Sequence, residues 1–588
     1  MSSLLRRFGG GIQTPRQASS TAHDVNEVKD GSLRFVEASG DNTGQTTFQL
    51  SAGAPVETTS PLKHNVGPVT IIFMCVGKMV GTGIFSTPSN ILTRTGSVGL
   101  ALLFWVFGAI FAAAGLTVYL EYAAFFPSRS GSEVAYLEQS YPRPRFFFPT
   151  VYALETVVLA FSSSNAIVLS NYLFAMAGTT ATNWQTKGVA AASYTIATLF
   201  VIFNTRLSYW MSNGIGVIKL LTLVFIALIG FVVLGGHTRV ENPTENFSNA
   251  FDGTTSVYGI TNALYSVVYA YTGYNNVFYV TAEIKDPVRN LKKYGYTALL
   301  ITFILYFLAN IAYFAAVPAA DLRAGREVAI RLLFTNVFGD SGAVRGLNFL
   351  IVISAFGNLI TVLLGDSRAI RECGRQGVIP FTKFWVSTRP FGTTAGPYLL
   401  KWFLTIIVIL AVPAGDAFQF MSNLQVYPNA LFMLLLSVGI FFVRKRHGRL
   451  GLGKPAFSAW TVVVVFNILV QIYLLAIPWY PPPGGRNAGN VSFWYATYIV
   501  VALGVLALFS LYWVVWFKAL PRVRGYRMRQ EMLEYDDGAQ SNRFVKVPVA
   551  ELEVWDATHD ALGRPLGQAQ ISETSSRGQE ESIEIAKA

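Results

Sequence analysis

Two short stretches of this chain place helix-breaking residues in the middle of apolar runs. Gly81-Thr82-Gly83-Ile84-Phe85 interrupts the first run, and Tyr271-Thr272-Gly273-Tyr274-Asn275-Asn276 interrupts the sixth. Glycine weakens a helix by roughly 1 kcal/mol per residue. A glycine pair can serve as a packing notch between helices, but Gly followed by two Asn is poor in hydrocarbon. Unwound backbone at membrane depth is tolerated only where it is buried or lines a cavity. A break also bares peptide groups. The amides of Thr82, Gly83 and Ile84, opening a second half-helix, suit a carboxylate. The carbonyls of Met79 and Val80, and of Tyr269 and Ala270, closing the first halves, suit an ammonium group. A site with both features recognises a zwitterionic amino acid backbone without any charged side chain. Thr272, Gly273, Tyr274, Asn275 and Asn276 then line the side-chain pocket.

Ionisable residues inside apolar runs are few, and each is a functional hypothesis. Lys219 lies in the fifth run. A buried lysine shifts its pKa readily and can couple transport to protons, or it can stand as a fixed structural cation. Lys78 sits one turn before the first break, and Glu283 and Asp366 lie near helix ends; the expectation is an inner gate in which Lys78 pairs with one of them. Glu121 and Glu155 are read as structural, and Arg368 as a local partner of Asp366. The five histidines all lie outside the middle of apolar runs, and Cys75 and Cys373 are far apart. That pattern argues against a metal site, a disulfide framework, a cofactor and intramembrane catalysis, so the chain is read as no enzyme.

These residues need elements to hold them. The 588 residues are 52% hydrophobic and only 13% charged, against roughly 25% charged in soluble chains. A bilayer explains the deficit. Counting runs of about 20 apolar residues gives about twelve transmembrane helices in an all-α polytopic membrane protein. They cover 67–93, 98–126, 147–177, 188–204, 211–235, 256–283, 294–318, 345–370, 397–413, 417–443, 456–478 and 492–518, the third and eighth long enough to tilt. The net charge of +12 lies in short clusters between the runs, so it reports topology rather than nucleic acid. Arg and Lys crowd one set of loops, which puts both termini in the cytosol. Residues 1–65 are read as a disordered cytosolic tail without a signal peptide, 66–520 as the transporter domain, and 521–588 as a cytosolic C-terminal tail in which 544–549 could pack on the inner face. The tails offer lysines to ubiquitination machinery. Two sequons, at Asn246 and Asn490, fall in outer loops.

The breaks lie about 190 residues apart, each in the first helix of a five-helix set, over 67–235 and 256–443, with 456–518 as a final pair. Paired interruptions of this kind point to a midplane site in an inverted-repeat transporter. At these residues the chain resembles a known group. Gly81-Thr82-Gly83-Ile84-Phe85-Ser86-Thr87-Pro88 resembles the first-helix motif of the amino acid–polyamine–organocation superfamily, and Ser130-Gly131-Ser132-Glu133-Val134-Ala135-Tyr136 its second-to-third-helix loop. Tyr269 to Asn275, with Glu283, Asp286, Pro287, Arg289 and Asn290, resembles helix six of L-type amino acid transporters, and Gly374-Arg375-Gln376-Gly377 with Pro380 the loop after helix eight. Within the group it is most similar to fungal high-affinity methionine permeases.

The resemblance implies the LeuT-type 5+5 inverted repeat with broken helices 1 and 6, and alternating access around a central site. It implies an amino acid permease of the plasma membrane, or of the vacuole, carrying neutral amino acids and methionine in particular by proton symport. It implies Tyr269 as the gating aromatic and Lys219 in the position where proton-coupled relatives replace sodium. The loop Gly178 to Asn183 lacks the cysteine that ties L-type carriers to a heavy chain, so no disulfide-linked partner is expected. The rival readings are an exchanger or nutrient receptor with broader neutral specificity, a channel, or a polyamine carrier. The last needs an acid in helix six, and none occurs between Tyr265 and Ala282.

Overall fold

The computed structural model describes residues 66–565 apart from breaks at 82, 325–328, 340–341, 412–413, 450–453, 486–492, 537 and 560–562, and also 28–30, 33–35, 53–57 and 62. The helices run α1 Pro68–Met79, α2 Gly83–Thr95, α3 Val98–Phe125, α4 Glu133–Ser140, α5 Phe147–Val158, α6 Ser163–Ala177, α7 Asn183–Phe203 and α8 Thr205–Leu234. The second half follows with α9 Val257–Tyr271, a 3-10 helix Tyr274–Glu283, α10 Pro287–Ala316, α11 Gly342–Arg375, α12 Ala395–Ala411, α13 Ala414–Arg449, α14 Thr461–Ala476, α15 Thr497–Val514 and α16 Leu520–Arg524. Each sequence run thus contains a helix, with ends displaced by a few residues.

Polarity is inverted relative to a soluble protein. Leu221, Leu228 and Phe231 of α8, Leu300 of α10, Leu469 of α14 and Leu508 of α15 are exposed, while Glu121, Lys219, Glu283, Arg368 and Lys401 are buried. Soluble proteins almost never bury such charges or expose an apolar belt of this kind. Among the described residues nine helical runs are long and apolar enough to cross a membrane, Phe147–Ala177 counting as one. The two broken runs and the 17-residue α12 fall short as single helices. This is the architecture of a polytopic membrane protein.

The third run differs from its reading as one long helix. It stops at Val158 and restarts at Ser163. The loosened backbone finds side-chain partners: the Ser162 amide donates to Thr405 Oγ1 at 3.1 Å, and the Phe161 carbonyl accepts from Gln425 Nε2 at 3.0 Å. No Gly or Pro marks this break, only a serine run competing for backbone bonds. Asn246 of the first sequon is also spoken for. Its side chain donates to the carbonyls of Phe314 and Val317 at 2.7 and 2.8 Å and accepts from the Ala319 amide at 3.0 Å, closing the end of α10. Asn490 lies outside the described residues.

Both tails contribute structure, where the sequence suggests disorder up to 65. Strands β1 Val28–Asp30 and β2 Leu33–Phe35 pair near the start, and β3 Tyr526–Glu534 pairs antiparallel with β4 Gln540–Pro548 near the end. Arg375, at the end of α11, joins the two tails: it donates to the carbonyls of Pro55 at 2.6 Å and Gln540 at 2.8 Å, and to Glu372 at 2.7 Å. Arg371 holds Glu57 at 3.0 Å, and Asn542 donates to the Gly53 carbonyl at 2.8 Å. Segment 53–57 is therefore clamped between the helices and the hairpin.

Beneath Gly53 lies Glu138 of α4, outside the long apolar helices; burial pushes its carboxyl up to about 7, against the opposing pull of Arg145 and Arg129. The native state then holds this proton more tightly than the unfolded chain does, so stability falls as pH rises from about 4.5 to about 7 and is flat above. The shift corresponds to up to about 3 kcal/mol. Thermal unfolding in detergent should show the wild type losing stability across that window relative to Glu138→Gln. Parallel pH profiles for the two proteins would exclude the effect.

Candidate functional site

α1 ends at Met79 and α2 begins at Gly83, and α9 ends at Tyr271 with Gly273 at φ +138°, a backbone conformation reserved for glycine. The freed carbonyls of α1 are almost all satisfied by side chains. Lys219 Nζ donates to Gly77 at 2.8 Å and Val80 at 2.7 Å. Asn358 Nδ2 donates to Gly77 at 3.0 Å and Lys78 at 2.9 Å. Met79 accepts from the Gly81 amide at 2.8 Å and the Tyr306 hydroxyl at 2.6 Å. That hydroxyl also lies 3.2 Å from the Ala270 carbonyl. A hydroxyl has one proton, so the shorter contact takes it and Ala270 keeps its acceptor capacity.

The four carbonyls assigned to an ammonium are not equivalent. Met79 is spent on two of the protein's own donors, and Val80 already meets the Lys219 ammonium, which disfavours a second cation beside it. On the α9 side the Tyr269 carbonyl accepts from the Thr272 amide at 3.1 Å, a neutral donor. The amides of Gly83 and Ile84 are first-turn donors with no intrahelical acceptor; Thr82 lies outside the described residues. Gly83 packs so closely on α9 that a Cβ there would sit 3.1 Å from Ala270 Cα. The two breaks face one hollow of about 160 Å³ whose walls include Met79, Gly81, Gly83, Tyr269, Ala270 and Thr272.

Helix-six side chains divide. Thr272 and Asn275 line the hollow, and with Tyr274 they also line an adjoining cavity of about 90 Å³. Tyr274 needs the bare face of Gly115, where a Cβ would lie 2.2 Å from its hydroxyl. Asn276 does not line the hollow: it is buried, donates to the Met74 carbonyl at 3.3 Å and occupies the space left by Gly365. Gly273 packs on Lys78 and Met79 instead of facing the cavity. Tyr269 stands at the wall, its hydroxyl 3.4 Å from Asn165 Oδ1.

The charges also separate. Lys78 pairs with Asp366 at 3.0 Å, and both line the hollow. Glu283 belongs to a different cluster, held by Arg368 at 3.3 Å and the Tyr209 hydroxyl at 3.3 Å. Arg368 is therefore not the partner of Asp366; residues two apart on a helix point to opposite sides. The partner that sequence reading missed is Lys401 of α12, buried and bonded to the other oxygen of Asp366. A lone lysine in an apolar helix was the available signal. Glu121 is neutralised by Arg444 through two bonds of 2.7 Å. Glu155 faces the hollow from α5 and has no ion-pair partner among the described residues. Acids thus reach the cavity from α5 and α11, although helix six supplies none. Glu133 was also missed as a site residue: its Oε1 accepts from Asn275 at 3.1 Å and from the Tyr119 and Tyr279 hydroxyls, which ties the α4 loop to helix six. Among the described residues no cluster of His, Cys, Asp and Glu could hold a metal.

Comparison with known proteins finds relatives along most of the chain. Residues 66–505 match the family described as amino acid permease. The chain is 35% identical over 490 residues to the high-affinity methionine permease of Saccharomyces cerevisiae, covering 82% of this chain and 84% of the relative. It is 29% identical over 495 residues to the low-affinity methionine permease of the same yeast, covering 83% and 89%. It is 28% identical over 427 residues to the b(0,+)-type amino acid transporter 1 of Mus musculus, covering 71% and 83%.

Proposed function

The chain belongs to the amino acid permease family, and on that footing we propose that it is a secondary active transporter taking up neutral amino acids, methionine first, by proton symport. It is an integral membrane protein, and its relatives are permeases and transporters. In this reading twelve spans form two inverted five-helix repeats over 67–235 and 256–443 with a final pair over 456–518. The tails, 1–65 and 521–588, lie in the cytosol, and the plasma membrane is the site of action.

The observation that carries the reading is the meeting of two helix breaks on one hollow. The substrate carboxylate sits on the first-turn amides of α2, Gly83 and Ile84 with Thr82. The ammonium sits on the Tyr269 and Ala270 carbonyls. Tyr269 gates the site, and the side chain reaches toward Thr272 and Asn275. Methionine is favoured because both yeast relatives are methionine permeases, and a thioether suits a polarizable aromatic wall such as Tyr152 and Phe161. Lys219 is the coupling group, and Lys78 with Asp366 forms the inner gate.

Uptake of labelled methionine into proteoliposomes at two external pH values, in competition with a panel of amino acids, tests this. The expected result is saturable uptake, several-fold faster with an inward proton gradient, blocked by excess neutral amino acids and not by lysine or spermidine. Uptake that requires internal amino acid and ignores the gradient would make it an exchanger. Binding without uptake would make it a receptor.

A further inference from the structure

A second concavity, of about 340 Å³, lies far from the hollow, where the last long helix meets the C-terminal hairpin. Its walls bring together Arg145, Lys518, Arg522 and Arg527 with no carboxylate among the lining residues. Arg368, Arg371, Arg375, Arg444 and Arg529 all meet an acid. Lys518, Arg522 and Arg527 form no ion pair among the described residues. Arg145 is partly engaged, 3.5 Å from Gln530 Oε1 and stacked 4.6 Å over the Phe146 ring.

The pocket is built rather than incidental. A π-helical turn over Val515–Ala519 interrupts the end of α15; such a turn resets the direction of the side chains beyond it and recurs at functional sites. Phe517 packs on Phe146 and Phe544 at centroid separations of 5.5 and 5.1 Å, fixing the back wall, while Lys518 stays exposed. Pro521 opens α16, and Gly525 at φ +64° turns the chain into β3 so that Arg527 returns to the same mouth.

Its depth indicates the source of a ligand. Leu508, Leu511, Val514 and Val515 on the flank above are exposed apolar residues, and Val523, 84% exposed, stands between Arg522 and Arg524. Trp516, half-buried and stacked on Tyr512, marks the same level, as aromatic residues do at membrane interfaces. The mouth therefore opens at the bilayer edge. Lys518, Arg522 and Arg527, which meet no acid among the described residues, with Arg145 beside them, suit a multiply charged phosphate headgroup, which arginine binds in bidentate fashion. We propose that this pocket seats the phosphorylated headgroup of an anionic phosphoinositide-type lipid. Its placement in the inner leaflet rests on the topology proposed above.

Binding to the full-length protein in detergent micelles tests this, using a short-chain phosphatidylinositol bisphosphate, phosphatidylserine, phosphatidylcholine and soluble inositol trisphosphate as probes. The expected result is saturable binding of the bisphosphate lipid, weakened roughly 100-fold by Lys518→Gln/Arg522→Gln/Arg527→Gln. Methionine binding should be unchanged in that variant, which reports an intact fold and keeps this test separate from that of transport. Arg522→Gln alone, with a several-fold loss, serves if the triple variant fails to fold. Equal binding of phosphatidylserine would reduce the pocket to a general positive field. Equal binding of soluble trisphosphate would make it a site for free phosphates. No loss in either variant would place the lipid elsewhere. Each of these three results overturns the proposal.

Discussion

Lys219→Met is expected to lower methionine uptake roughly 10- to 100-fold while leaving folded protein in the membrane. The substitution keeps the length of the stem and removes the ammonium, so no buried charge is left unpaired. The loss falls on two carbonyls. Gly77 keeps Asn358 as a donor, but among the described residues Val80 has only Lys219. A buried carbonyl left without a donor costs about 1–3 kcal/mol, and each 1.4 kcal/mol is a tenfold change in population. That cost is charged to the conformation in which α1 ends at the break, which is the one that presents the amides of α2. Lys219→Arg should not rescue, because the lysine Cε already lies against Gly357. The variant also separates two roles. If the ammonium couples transport, residual uptake in proteoliposomes becomes indifferent to a proton gradient. If it is a structural cation, residual uptake keeps the wild-type dependence. Uptake at the wild-type rate would show that the break needs no ammonium.

The sequence made the two breaks legible because glycine and asparagine at membrane depth have a local physical signature. The hollow between them follows from that signature and is present. What the residues could not reveal is which freed group is already satisfied from elsewhere. Tyr306 and Asn358 sit more than 200 residues from Met79 and Gly77, in runs where a tyrosine or asparagine has no distinguishing pattern. The same limit explains Asn276. Beside Asn275 in sequence it reads as a pocket residue, but a 3-10 turn sends the two side chains in different directions, and a glycine on α11 makes room for one of them. The break between α5 and α6 carried only serines, whose preference for backbone bonds is too weak to separate from an ordinary polar helix face.

Asp366 shows how far local pairing rules mislead inside a membrane protein, and it carries the largest expected effect on stability. Two residues from Arg368, it reads as part of a local pair. It instead accepts from Lys78 on one oxygen and Lys401 on the other, so a single carboxylate neutralises two ammonium groups from α1 and α12. Asp366→Asn removes the charge and keeps the shape. Two lysines then face each other without an anion, one of them only 1% exposed. Breaking a buried pair in this way costs about 3–5 kcal/mol, a large share of the roughly 5–15 kcal/mol that holds a typical protein folded. Thermal unfolding in detergent should therefore show a strongly destabilised Asp366→Asn, with low yield of monodisperse protein. Asp366→Leu/Lys401→Met should recover most of the stability, since an apolar replacement of a buried pair is often neutral or better. Lys78 can remain, because it borders the hollow and is reached by water. Transport should not return in the double variant, as the gate has lost its anion. Wild-type stability in Asp366→Asn would mean that Lys401 finds another acceptor, and Glu155 would be the first to examine.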